Sequence, residues 1–216
     1  MTSPSVLLTV SGAIPETLDA DVASGARPRA DYRVIAERLD ADVVDGPTAL
    51  AQGGRFGRLL HRVGGVGAAL AWHCFRHRDD YDVVLTDGEQ VGIPLAMLRR
   101  FTPRPRARHV MIVHILSVPK KSMLVKAMRL AQLVDRYVVY CSAQRDHVVG
   151  EFGVDPERVV LSTFMVDTRF FDPRVTTGEP RRMICSAGLE RRDYPTLMRA
   201  VDGLDVDVVI AAASPW

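Results

Sequence analysis

Val83-Val84-Leu85, running into Thr86-Asp87-Gly88-Glu89, is a short apolar stretch that stops at an acidic, glycine-containing turn. Val110-Met111-Ile112-Val113, stopping at His114, and Val138-Val139-Tyr140, stopping at Cys141-Ser142, repeat the pattern downstream. Runs this uniformly apolar belong to strands covered on both faces, as in a parallel sheet. These three read as strands over 81–86, 109–115 and 136–141; working outward, Val6–Val10, Asp42–Asp45 and 159–162 read as further strands. The stretches between them are long enough for helices. Strand and helix in alternation, with right-handed crossovers, predict an α/β fold built on a doubly wound, parallel-sheet, Rossmann-like domain.

The periodicity stops over 165–180, where Asp167, Asp172, Pro173, Gly178 and Pro180 supply turn and linker chemistry. It restarts with a strand over 182–186, a helix over 194–204 and a strand over 206–212. The expected organisation is a domain over 1–164, a linker over 165–180, and the first βαβ unit of a second Rossmann-like domain over 181–216. A βαβ unit leaves sheet edges and an apolar face uncovered, so it is expected to be the start of a domain and the chain to be the front portion of a longer protein.

Of the 216 residues, 47% are hydrophobic and 25% charged, the balance of a chain that folds around a core. A formal net charge of +2 does not mark a nucleic-acid binder, and no nucleic-acid partner is expected. The basic residues are nevertheless clustered, over 55–62, 76–78, 99–109 and 120–129, and such clusters attract anionic groups. Cys74, Cys141 and Cys185 are odd in number and widely spaced, so neither a disulfide framework nor a zinc site is indicated. The first ten residues lack a basic leader segment, and there is no run of about 18 apolar residues, so the expected location is cytoplasmic.

In an open parallel sheet, ligands bind beyond the carboxyl ends of the strands. The residues found there are Ser11-Gly12, Asp87-Gly88-Glu89, His114, Cys141-Ser142 and, in the second unit, Gly188 through Arg191 and Arg192. A histidine, an acidic turn and a doubly basic loop suit an anionic, hydroxyl-rich ligand. His114 can act as acid, base or hydrogen-bond partner near neutrality, or be a buried histidine satisfied by a carbonyl. Asp87-Gly88-Glu89 can contribute to a cleft, or be a tight turn whose acid suits a helix start. Arg191 and Arg192 can cradle phosphate together with free N–H groups of a helix start, or be ordinary exposed arginines.

Other patterns carry less. Gly64-Gly65-Val66-Gly67 resembles a dinucleotide fingerprint but lies inside a helical-period segment, not after a strand. There is no P-loop and no G-x-S-x-G. His73 and His77 have the spacing of metal ligands on a helix but no evident third ligand, and no metal site is assigned. Cys141 is expected to be a buried, inert thiol. Residues 55–78 place Phe56, Leu59, Leu60, Val63, Val66, Leu70 and Cys74 at helical spacing, with Arg55, Arg58 and Arg62 elsewhere around the helix. Such a helix either packs its apolar stripe on the sheet or makes peripheral contact with an anionic inner membrane face.

Phe164-Met165-Val166-Asp167-Thr168-Arg169-Phe170-Phe171-Asp172-Pro173 resembles the G-V-D-T-x-x-F-x-P hinge of the GT-B glycosyltransferases (group 1, family 4 type), which use nucleotide sugars and retain anomeric configuration. Gly188 through Arg192-Asp193-Tyr194-Pro195-Thr196-Leu197 resembles the G-R-x-x-x-K-G-x-x-T-L opening of their donor domain. The resemblance implies transfer of a sugar from a nucleotide-sugar donor, a substrate and not a cofactor, to an acceptor that is lipid-linked or anionic. It implies that His114 is catalytic, that Gly12, Asp87 and Glu89 line the acceptor cleft, and that Gly188, Arg191 and Arg192 meet the donor diphosphate. Met165 stands where the hinge usually has glycine, and Leu189 where a second phosphate-binding arginine is common. The family's E-x7-E segment is not in the sequence, so the isolated chain is expected to be inactive. The alternatives are a non-catalytic Rossmann-like binding module or a nucleotide-sugar epimerase of GT-B build.

Overall fold

The computed structural model describes residues 4–102, 106–175, 179, 181–188 and 192–212. Two compact units divide the chain between Phe171 and Asp172, inside the segment read as a linker.

In the first unit, strands β1 (Val6–Val10), β2 (Asp42–Asp45), β3 (Val83–Asp87), β4 (Arg108–Ile112), β5 (Arg136–Val139) and β6 (Val159–Leu161) form one sheet in the order β2-β1-β3-β4-β5-β6. Every pairing is parallel. Helices α1 (Leu18–Ala23), α2 (Asp31–Leu39), α3 (Gly46–Gln52), α4 (Gly54–Arg76), α5 (Glu89–Arg99), α6 (Pro119–Ala127) and α7 (Ser142–Phe152) occupy the connections. This is the α/β, Rossmann-like arrangement that the alternation predicts.

Strand residues alternate between two cores because successive side chains point to opposite faces. Leu7 and Val84 pack with Ala49 of α3, Leu70 and Cys74 of α4, and Val91 and Leu95 of α5. Farther along that face Met111, Tyr137 and Val139 pack with Val125 of α6 and Val148 of α7. Leu8, Leu85 and Ile112 point to the other face, where Tyr32, Ile35 and Ala36 of α2 cover part of the sheet.

The segment 55–78 differs from its reading as one helix. Gly65 sits at φ 69°, ψ −166°, a conformation favouring glycine, and reverses the chain within α4. The two arms lie side by side: Phe56 and Trp72 rings are 4.7 Å apart, Trp72 Nε1 donates to Gly53 O at 3.3 Å, and Arg76 Nη1 donates to Gln52 O at 3.0 Å. Only the second arm, carrying Ala69, Leu70, Ala71 and Cys74, is buried against the core.

In the second unit, β7 (Met183–Ala187) and β8 (Asp207–Ala211) pair in parallel, with α8 (Tyr194–Val201) between them in the chain. No described residue of this unit is buried, and Met198, Leu204 and Val209 are about half exposed.

The second arm of α4 approaches α5 so closely that a Cβ on Gly67 would lie 2.2 Å from Gln90 O, whereas one on Gly12 would meet nothing within 4 Å. Alanine at 67 gains up to about 1 kcal/mol of helix propensity, but the overlap is with backbone and overpacking costs about 1–3 kcal/mol. Gly67→Ala is therefore expected to lower stability in urea denaturation while Gly12→Ala leaves it within a few tenths of a kcal/mol. Equal stability of the two variants would contradict the close approach.

Candidate functional site

The pairing of β3 with β4 sets Asp87 beside Ile112, so His114, two residues farther on, emerges over the carboxyl end of β3. His114 Nε2 lies 3.1 Å from Asp87 Oδ1. What holds the loop is Glu89, only 2% exposed. Its carboxylate accepts from His114 N at 3.0 Å, Ile115 N at 3.2 Å and Lys121 Nζ at 2.7 Å. Gln144 braces the other side, accepting from Tyr140 N at 2.8 Å and donating to His114 O. Gly88, at φ 98°, lets the chain turn from β3 into α5; a Cβ there would strike the Gln90 side chain.

The electrostatics follow. The hydrogen bond to Asp87 raises the His114 pKa, burial opposes it, and the negative charges of Asp87, Glu89 and Asp31 add to the rise. Burial alone would push the Glu89 carboxyl up, but the Lys121 ammonium and backbone N–H groups outweigh it and hold it below its ordinary range. Burial lifts the Tyr140 phenol to about 12, so it stays neutral. The Tyr140 ring is 6.1 Å from that of His114 and 5.2 Å from that of Phe164. Phe164 belongs to a cleft of about 700 Å³ whose walls include Arg29, Asp31, Ile35, Met165 and Phe171. Asp167 fixes one rim by accepting from Arg29 N at 2.9 Å. The arrangement pairs a titratable imidazole with an apolar wall that also carries both signs of charge.

Of the residues singled out from sequence, Asp87 and His114 meet in one constellation. Glu89 joins it as the buried group that positions His114, and its carboxylate faces donors, not the cleft. Gly12 is partly exposed after β1, beside Ser11, whose Oγ accepts from Gln90 Nε2 at 3.2 Å. In the second unit Gly188, at φ 105°, ends β7, and the Arg192 guanidinium lies 3.5 Å from where a Cβ on it would be. Arg191 lies outside the described residues. The start of α8 offers less to an anion than expected: Pro195 has no N–H, Thr196 N donates to Asp193 Oδ1 at 3.0 Å, and Leu197 N donates to Asp193 O at 3.2 Å. Its own Asp193 is the anion that caps it.

His73 and His77 have rings 4.6 Å apart, but burial drives His73 down to about 4 and His77 pairs with Asp80 at 2.8 Å. No three His, Cys, Asp or Glu side chains converge as a metal site among the described residues. Cys141 is exposed, not buried. Sequence reasoning missed Lys121, Gln144, Asp31 and Tyr140. Tyr140 alone had a local signal, as the last residue of an apolar strand run.

No protein-family model matches the chain, and no curated protein matches it in sequence. Among solved structures the chain is similar to Anabaena HepE (Alr3699) in complex with UDP and glucose, at 12% identity and a TM-score of 0.48, over 98% of this chain and 70% of that one. It is similar to the same protein in complex with UDP-glucose at 12% identity and a TM-score of 0.47, over 98% and 69%. No residue role is transferred from a likeness at this level.

His114 should titrate above its ordinary 6.5 in an NMR pH series, and Asp87→Asn should bring the midpoint down. Because the folded value is the raised one, the pair's contribution to stability is complete below about 6.5 and is lost as pH climbs through the folded value. The melting-temperature gap between wild type and Asp87→Asn should therefore narrow with rising pH in that window. A midpoint at or below 6.5, or one indifferent to Asp87→Asn, would contradict the pairing.

Proposed function

We propose that the chain is the acceptor-binding portion, with the diphosphate-facing start of the donor portion, of a nucleotide-sugar glycosyltransferase of GT-B build. The observation that carries this reading is the Asp87–His114 pair, held by buried Glu89 at the carboxyl edge of a parallel sheet beside a mixed apolar and charged cleft. The resemblance of residues 164–173 and 188–197 to a hinge and a donor-domain opening supports the choice of chemistry.

In the proposed reaction the anomeric carbon–oxygen bond to the donor diphosphate breaks, and its electron pair stays on the diphosphate oxygen. A bond forms from the anomeric carbon to an acceptor hydroxyl oxygen. The hydroxyl proton passes to the departing diphosphate oxygen on the same face, which retains configuration. His114, whose protonated form the Asp87 contact favours, holds Asp87 through Nε2 and presents Nδ1 to sugar or phosphate oxygens. An imidazolium placed where negative charge develops stabilises the transition state more than the ground state. With the α8 start capped by Asp193, Arg192 is the principal partner of the diphosphate in the second unit.

The test follows labelled nucleotide sugars with and without anionic or lipid-linked acceptors. In a protein that completes the donor domain, acceptor-dependent nucleotide release, falling about 100-fold in His114→Ala while the melting temperature drops only by the few degrees that loss of the Asp87 pair accounts for, is expected of the transferase, whereas the isolated chain is expected to release none. Epimerised nucleotide sugar formed without acceptor would replace the reading with an epimerase. Saturable nucleotide-sugar binding, weakened by Arg192→Ala and giving neither product, would make the chain a binding module.

A further inference from the structure

Residues 46–78 contain no Asp or Glu, and within them the first arm of α4 carries Arg55, Arg58 and Arg62. Among the described residues these three arginines enter no ion pair. The same arm exposes Phe56 by 48%, Leu59 by 51% and Val63 by 82%. Its inner face is spent on the second arm: Gly57 is buried, and a Cβ on it would lie 3.3 Å from Trp72 Cδ1. Arg55, Arg58, Leu59, Arg62 and Val63 therefore point outward together. A helix face that mixes apolar and cationic side chains, with no acid to neutralise them, is poorly served by water alone.

We propose that this arm is a docking surface for an anionic lipid bilayer. Leu59 and Val63 enter the boundary between headgroups and acyl chains while the arginines meet lipid phosphates, the two attractions that together bind interfacial helices. Charge decides among the occupants. A second copy of the arm would set three unpaired arginines against three more, and a small soluble anion would leave the apolar stripe in water. An anionic membrane satisfies both sets. No helix among the described residues is long and apolar enough to cross a membrane, so the arm lies on the surface.

The hairpin also sets the direction of docking. The reversal at Gly65 is followed by Val66, whose Cγ2 lies 2.4 Å from where a Cβ on Gly46 would be, and Gly46 in turn sits 3.0 Å by the same measure from Ser11 O. Gly46 follows β2 and Ser11 follows β1, so the exposed tip at Val63 projects at the edge of the first unit that carries Ser11, Asp87 and His114. A membrane bound there meets the first unit along the carboxyl edge of its sheet. That the acceptor is then lipid-carried rests on the proposed function; the docking itself does not.

Flotation of the full chain with vesicles of phosphatidylcholine alone, or of phosphatidylcholine mixed with phosphatidylglycerol, separates the possibilities without any assay of transfer. Binding is expected to the mixed vesicles only and to weaken as salt rises. Arg55→Glu/Arg58→Glu/Arg62→Glu should reduce partitioning about 100-fold and Val63→Asp about 10-fold, with melting temperatures like wild type because all four side chains are exposed. Absence of flotation, equal flotation with phosphatidylcholine alone, or variants that float like wild type would overturn the proposal. A dimer in sedimentation equilibrium that Val63→Asp dissociates would overturn it in favour of a second copy.

Discussion

The buried carboxylate of Glu89 is the constraint on which the site depends. By claiming the N–H groups of His114 and Ile115 it takes them from the β4 ladder, which is why that strand ends at Ile112 while Val113 N still reaches Val138 O at 2.8 Å. The same carboxylate holds Lys121 and so fixes the first turn of α6 relative to α5. Removing a carboxylate from water costs several kcal/mol, and hydrogen bonds to a charged group are worth roughly 1.5–3 kcal/mol each. Three such bonds are of the size needed to keep Glu89 ionised inside the protein. The geometry of His114 over Asp87 is thus a consequence of where one buried charge finds its donors.

This explains which parts were legible in the sequence. β1 and β2 match their reading residue for residue because a short β-branched or apolar run and a following turn are local signals. The strand read over 109–115 runs three residues too long at its end, since the group that terminates it lies about 25 residues away and nothing near His114 announces it. Asp87 and His114 could be named because post-strand positions in a parallel sheet are where ligands bind. Glu89 could be named but not understood: an acid in the first turn of a helix is equally accounted for by the dipole. Lys121 and Gln144 lie mid-sequence on other helices, where reach, not pattern, brings them in. In α4 the glycines were visible, but only a positive φ at Gly65 turns a weak helix into a hairpin.

The second unit shows a competition between folding and binding at one helix end. A helix start suits an anion because its first N–H groups are unpaired. In α8 proline removes one of them and Asp193 takes another, and the hydrogen bonds from Thr196 hold the Asp193 carboxyl below its ordinary range. The capping that makes a short, unburied helix persist removes donors that a diphosphate would use. On the proposed reading, an external anion would therefore have to be met by the side chain of Arg192 rather than by backbone, in a contact open to solvent and to salt.

Two histidines at opposite ends of one strand show how the fold assigns chemistry. His109 lies inside β4, fully buried against Thr86 at 3.0 Å, and burial together with the nearby Arg99 cation drives it down to about 3. His114 lies beyond the end of the same strand, half exposed, with Asp87 in contact and Glu89 and Asp31 nearby, and is driven up. Five residues separate an imidazole that is held neutral from one whose protonated form is favoured. The difference does not reside in the residue type or in the strand. It comes from sheet position: the interior of a parallel strand is sealed by helices, whereas its carboxyl end is where acidic turns and loops from neighbouring strands converge.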